Sequence, residues 1–141
     1  MIGMRMKGLS FNAAAVMQPA QRAARRVFPQ QGAYVRGIAK RSIRRRANRR
    51  KSSPPGRPPY THTGAIKRAV LFAAGADDVL IGPSASVIGR IGHTHEFGGI
   101  EPAQKRKPQR RYPPRPFMGP ALAVAWPRLP GFWRDSIRRS A

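Results

Sequence analysis

Apolar positions recur at helical spacing through the first third of the chain. From Asn12 onward Val16, Ala20, Ala23 or Ala24, and Val27 step by three and four; Val35, Ile38, Ala39 and Ile43 do so again before the pattern fades at Ala47. Pro29 and Gly32 fall between the two runs and predict either two helices or one kinked helix. Pro19 is expected in the first helical turn, where its missing N–H costs nothing. Arg36, Lys40 and Arg44 step by four on the side opposite Ile38, so the second run predicts an amphipathic helix with a cationic back. The first residues, up to Gly8, read as a loose start.

Between Asn48 and Tyr60 the periodicity stops. Pro54, Pro55, Pro58 and Pro59 hold the backbone extended and Gly56 permits a bend, which predicts an exposed arm rather than core. Thr61 to Ala74 resumes as a compact helical element, capped by Thr63, with Ala65, Ile66, Ala69, Val70 and Phe72 apolar, Lys67 and Arg68 outward, and Gly75 at its end. Val79 to Ile81 predicts a short strand between Asp77–Asp78 and Gly82–Pro83. Ser84 or Ser86 then opens a helix through Phe97 with Gly98 as a left-handed stop. Gly89 and Gly92 weaken that helix by about 1 kcal/mol each and imply close packing there.

Ile100 to Pro114 is a basic, proline-rich loop or a hairpin. Pro116 opens a helix from Phe117 to Trp126 in which Leu122 and Trp126 stand four apart, and Pro127 and Pro130 break it. Phe132 to Arg139 predicts a short terminal helix docked by Phe132, Trp133 and Ile137. One strand among helices gives a chain that is mainly α, or α+β with a small sheet. The 141 residues fit one domain: a basic helical region over 1–47, a proline-rich arm over 48–60, and a core over 61–141 with a basic loop at 100–114.

Charge changes the picture most. The chain has 28 Lys and Arg against 5 Asp and Glu, a formal +23, and no acid before Asp77. Nine basic residues lie between Arg36 and Lys51: Arg36, Lys40, Arg41, Arg44, Arg45, Arg46, Arg49, Arg50 and Lys51. A second cluster holds Lys105, Arg106, Lys107, Arg110, Arg111 and Arg115. Such a density repels itself unless a polyanion is near, which points to nucleic acid, contacted through its backbone. Solubility alone asks for far less charge. Stacking aromatics do not interleave the basic runs, so a single-strand platform is not expected. The absence of cysteine removes disulfides and thiolate metal sites. The longest apolar run, Ala69 to Ala76, is far short of the roughly 20 residues of a membrane span, and no membrane partner is expected.

Candidate catalytic chemistry is sparse. His93, His95 and Glu96 form the densest group, offering two metal ligands and a third, or a base with an orienting carboxylate. No further acid–histidine cluster completes a coordination shell, and a helix would point the two rings apart. No nucleophile elbow or phosphate loop occurs. No enzyme activity and no cofactor are expected.

Three local patterns together resemble one family. They are Pro58 to Val70, a proline-rich lead into Thr63–Gly64 and a helix; Val79 to Pro83 followed by His95-Glu96-Phe97-Gly98-Gly99; and Arg115-Pro116-Phe117-Met118-Gly119-Pro120-Ala121-Leu122. Their order and spacing are similar to the tail-completion, or head-to-tail joining, proteins of long-tailed bacteriophages and the related phage virion-morphogenesis proteins. The resemblance covers Pro58 to Trp126. The heavy N-terminal charge and the Lys105 to Arg111 cluster exceed the family pattern.

The resemblance implies an α+β subunit with a small antiparallel sheet packed by helices, built as a ring into the virion neck and made in the host bacterial cytoplasm. Implied partners are copies of itself, neighbouring neck proteins (portal adaptor or stopper, tail terminator or tail tube) and packaged double-stranded DNA. In such a subunit residue type assigns Glu96 an ion pair or charge-assisted hydrogen bond with Arg115 that fixes the turn before Gly98. Phe97 and Phe117 are expected as core anchors, and Pro116 fixes the helix entry. The helix bearing Arg36, Lys40 and Arg44 is expected to line the DNA path, although acidic neighbours would also suit these clusters. The alternative is a cellular, sequence-independent nucleic-acid-binding protein; a metal-dependent nuclease would need His93, His95 and Glu96.

Overall fold

A single helix of 30 residues, α1 (Ala13–Ser42), organises the chain. The computed structural model describes residues 12–101 and 108–138. The expected loose start, the basic residues Lys105, Arg106 and Lys107, and the end of the terminal helix at Arg139 lie outside the described residues. Asn12 caps α1, its side-chain oxygen accepting the Ala15 N–H at 3.2 Å. The helix runs unbroken through Pro29 and Gly32. Gly32 is a packing position, because a Cβ there would collide with the Phe72 ring and the Val79 side chain. This close approach, with Ala23, Ala24, Val27, Val35 and Ala39 buried along the same face, offsets the roughly 3 kcal/mol that a mid-helix proline costs. Pro19 sits in the second turn rather than the first, within a stretch of α1 that faces solvent.

The chain leaves α1 at Ile43, which is fully buried. Arg44–Arg45 then form β1, paired in parallel with β2 (Tyr60–Thr61). Arg44 is therefore not a helix residue, and the predicted stripe of Arg36, Lys40 and Arg44 does not exist as one helix face. The proline-rich arm between β1 and β2 is exposed over most of its length, but Ser53 and Pro59 are buried, so it is anchored as well as extended.

Where one helical element was expected from Thr61 to Ala74, only five residues are helical, α2 (Ala65–Ala69), and its second half is strand β3 (Val70–Ala74). Short apolar runs do not separate helix from strand by period alone. Here Gly64, at φ 81, caps α2 without a side-chain bond, and the strand is secured from outside. β3 pairs antiparallel with β4 (Val79–Pro83), Val70 opposite Pro83 and Ala74 opposite Val79. The Arg36 side chain donates from Nε to the Val70 carbonyl at 2.9 Å, locking α1 to the start of β3.

Two short helices follow, α3 (Ala85–Ile88) and α4 (Ile91–Phe97), in place of one. Gly89, at φ 56, breaks them apart. Gly92 lies against the Pro83 ring, the close packing its residue type implied. Strands β5 (Gly99–Glu101) and β6 (Arg110–Tyr112) pair as an antiparallel hairpin, Gly99 opposite Tyr112. Helix α5 (Met118–Ala125) ends where Pro127 was expected to break it, but the chain continues as a 3₁₀ helix, Trp126–Trp133, and no separate helix starts at Phe132. That segment docks on α1. Trp133 meets Phe28 edge-on at 5.5 Å, Phe132 meets Tyr34 at 5.6 Å, and Gln31 donates to the Leu129 carbonyl at 2.9 Å.

The fold is thus α+β, a long N-terminal helix with small two-stranded sheets packed against helices. Its core gathers Ala39, Ile43, Ile66, Val70, Phe117 and Ala121. Among the described residues no helix is long and apolar enough to cross a membrane.

Candidate nucleic-acid interface

The end of the proline-rich arm is tied to the segment that follows β6. Gly56 donates its N–H to the Pro114 carbonyl at 2.9 Å, and Arg115 donates from Nε to the Ser53 carbonyl at 2.7 Å. Gly56, at φ 75, completes a turn closed by the Arg57 N–H on the Pro54 carbonyl. Residues 53–57 therefore lie against 114–115, a few residues after Arg110 and Arg111 of β6. On the other side Asn48 makes a turn, accepting the Arg50 N–H on its side chain at 2.9 Å, which places Arg49 and Arg50 at an exposed tip. Arg44, Arg45, Arg46, Arg49, Arg50, Lys51, Arg57, Arg110 and Arg111 are all exposed. None of Arg44, Arg45, Arg49 and Arg50 is paired with an acid among the described residues. Exposed cations thus crowd the arm, and two more stand on β6.

The arm is not loose at its root. The Arg46 N–H donates to the Thr61 carbonyl at 3.0 Å, His62 donates from Nδ1 to the Arg46 carbonyl at 2.8 Å, and the Arg46 guanidinium lies 5.1 Å from the centre of the Tyr60 ring. By contrast, the helical cations are less available than expected. Arg36 is spent on Val70, and Lys40 is half-buried. Burial, with the like charges of Arg36 and Lys67, lowers the Lys40 pKa from the usual lysine value. Only Arg41 of the three helical cations in that cluster is fully outward. The freely exposed cations of this cluster therefore lie mostly on the arm, not on the helix.

Glu96 does something other than pair with Arg115. Its Oε2 accepts the N–H groups of Phe117 and Met118 at 2.9 and 3.0 Å, and its Oε1 accepts that of Gly119 at 2.8 Å. The carboxylate thus closes the N-terminus of α5, whose own first turn carries no acid. Arg115 instead donates its backbone N–H to the His95 carbonyl at 2.6 Å and its side chain to Ser53. Pro116 leads into Phe117, the N-cap residue, which is completely buried. Phe97 is not a core anchor: it is 70% exposed and stacks only against His93, at 4.9 Å between ring centres. Gly98, at φ 74, ends α4 where a side chain would strike the Tyr112 carbonyl and Pro114.

No family model, curated protein or solved structure matches the chain.

His93, His95 and Glu96 sit on one helix, but His95 faces the pocket beside Thr61 and Arg115 while His93 and Glu96 line a groove on another side. Among the described residues no group of three His, Cys, Asp or Glu side chains lies close enough to hold a metal ion. Burial, and next the Arg115 charge, lowers the His95 pKa below the usual histidine value. The folded chain therefore holds this ring neutral at a pH where the unfolded chain, titrating near 6.5, takes up a proton. Since the unfolded state binds more protons in that window, stability falls as pH drops from neutral through about 6.5 toward the folded pKa. Thermal melts from neutral pH to about pH 5 are expected to show this loss, and His95→Gln is expected to flatten it. An unchanged slope in His95→Gln would assign the effect to another group.

Sequence alone located the cations, the clasp partners Glu96 and Phe117, and Gly98. It missed the docking of Ser53 and Gly56 on Pro114 and Arg115, because hydrogen bonds to backbone carbonyls leave no signature in residue type.

Proposed function

We propose that the chain is a structural protein of the bacteriophage neck, completing the tail, joining it to the head and assembling as a ring around the DNA channel. The observation that carries this reading is the Glu96 clasp. The His-Glu-Phe-Gly and Arg-Pro-Phe-Met-Gly segments bear the resemblance to tail-completion proteins. They are joined here by three hydrogen bonds from one carboxylate. That gives a physical reason for the two segments to occur together. In this reading the chain does no catalysis; Glu96 is a structural group.

The exposed cationic face of the arm is the proposed contact with packaged double-stranded DNA. Guanidinium groups on an exposed arm suit phosphate oxygens, and such contacts carry no sequence information. Ring closure would repeat the face around the channel. Portal-side and tail-side neck proteins are the proposed neighbours. The same face also suits a cellular nucleic-acid-binding protein, and a genetic experiment separates the two. A phage lacking the chain is expected to accumulate DNA-filled heads and unattached tails. Joined, infectious particles in its absence would exclude the neck role.

A further inference from the structure

The chain leaves two apolar regions uncovered, and they share one property. The first is a groove of about 730 Å³ between α1, β4, α4 and α5, with Val35, Leu80, Ile81, Phe97 and Leu122 among its walls. Leu80 is 75% and Phe97 70% exposed. Among the described residues no lysine or arginine lines the groove, in a chain with 28 of them. The one acid there, Glu96, has both oxygens occupied by backbone N–H groups.

The second region is the start of α1. None of its residues before Ala23 is buried. Ala13, Val16, Met17 and Ala20 form a stripe at i, i+3, i+4 and i+7, and Val16 and Met17 are each 56% exposed. No charged residue occurs between Asn12 and Gln21. A helix end that buries nothing at home is weakly held and gains by docking. Apolar stripes of this spacing fit apolar grooves. α1 cannot fill its own groove, because Met17 lies about 20 Å along the rigid helix from Gln31 at the groove wall.

We propose that the start of α1 docks in this groove on a second copy of the chain, making a head-to-tail contact. Two chains of +23 repel over most of their surfaces, and these neutral regions are where they can approach. A contact between different surfaces of the two copies closes into a ring when its rotation closes. The inference rests on the self-assembly in the proposed function, and it names the surfaces.

Two measurements test it. Met17→Glu and Leu80→Glu change exposed side chains, so both variants are expected to keep the wild-type melt. In sedimentation at moderate salt each should associate at least about thirtyfold more weakly than wild type. Mixed together they should recover dimers and nothing larger, since one intact helix end meets one intact groove. Because the chain has no cysteine, Met17→Cys and Leu80→Cys give a second readout. A short bismaleimide should join the two variants to each other but neither to itself, and this holds even if the glutamate variants misfold. A monomeric wild type, a Met17→Glu chain that folds and assembles normally, or a mixed cysteine pair that fails to cross-link would overturn the proposal. Such a failure leaves the neck role standing, because that role is read independently from head–tail joining.

Discussion

Glu96→Ala is expected to lower stability by about 2–4 kcal/mol and the melting temperature by about 10 °C. One carboxylate satisfies three consecutive N–H groups at the start of α5. Helix N-termini have few alternative partners, and here the N-cap residue Phe117 is completely buried, so water cannot easily replace the lost acceptor. The same contacts tie α4 to α5, so truncation also loosens the junction below Gly98. Glu96→Gln keeps one acceptor oxygen but loses the charge, and is expected to cost roughly half as much. Chemical denaturation of the purified chain measures both. A Glu96→Ala variant within about 0.5 kcal/mol of wild type would show that the clasp does not hold the fold.

The second large effect concerns DNA. Replacing Arg44, Arg45, Arg49 and Arg50 together with glutamine is expected to weaken binding to double-stranded DNA about a thousandfold near 0.1 M salt. The slope of log affinity against log salt should shrink in magnitude by about 3–4, one counterion for each lost phosphate contact. All four side chains are exposed and carry no packing role, so the melt should not change. Arg36→Gln should behave oppositely, loosening α1 from Val70 with little effect on DNA. Fluorescence anisotropy on a duplex of arbitrary sequence over a salt series reads both. If Arg36→Gln abolished binding while the arm variant bound normally, the helix and not the arm would be the contact.

Salt also separates DNA binding from self-association. Phosphate contacts release counterions and weaken as salt rises. Docking of neutral apolar surfaces between strongly cationic chains should strengthen, because the Debye length shrinks and repulsion is screened.

Much of this was legible in the sequence, and the misses have physical causes. The apolar period of α1 was visible because burial on one face imposes a period, and the strand at Val79 because turn residues bound its short apolar run. Pro29 and Gly32 left two helices or one kinked helix open; the chain forms one helix, and packing of Gly32 against Phe72 and Val79 favours it. Val70 to Ala74 became strand through its pairing with Val79 to Pro83 and the Arg36 bond, both long-range. Glu96 was singled out correctly as a structural acid, but its partners were expected among the many arginines. Residue type advertises charged partners and hides backbone N–H groups. Phe97 was assigned to the core on hydrophobicity alone, a rule that fails wherever apolar side chains line an open groove.

The most direct test of the neck reading is quantitative mass spectrometry of purified particles, counting this chain against portal and major capsid subunits. The account predicts a ring-like number, about six or twelve per particle. Absence from the particle would contradict it and favour a cellular nucleic-acid binder, and a count in the hundreds would contradict it in favour of a repeated tail or capsid component.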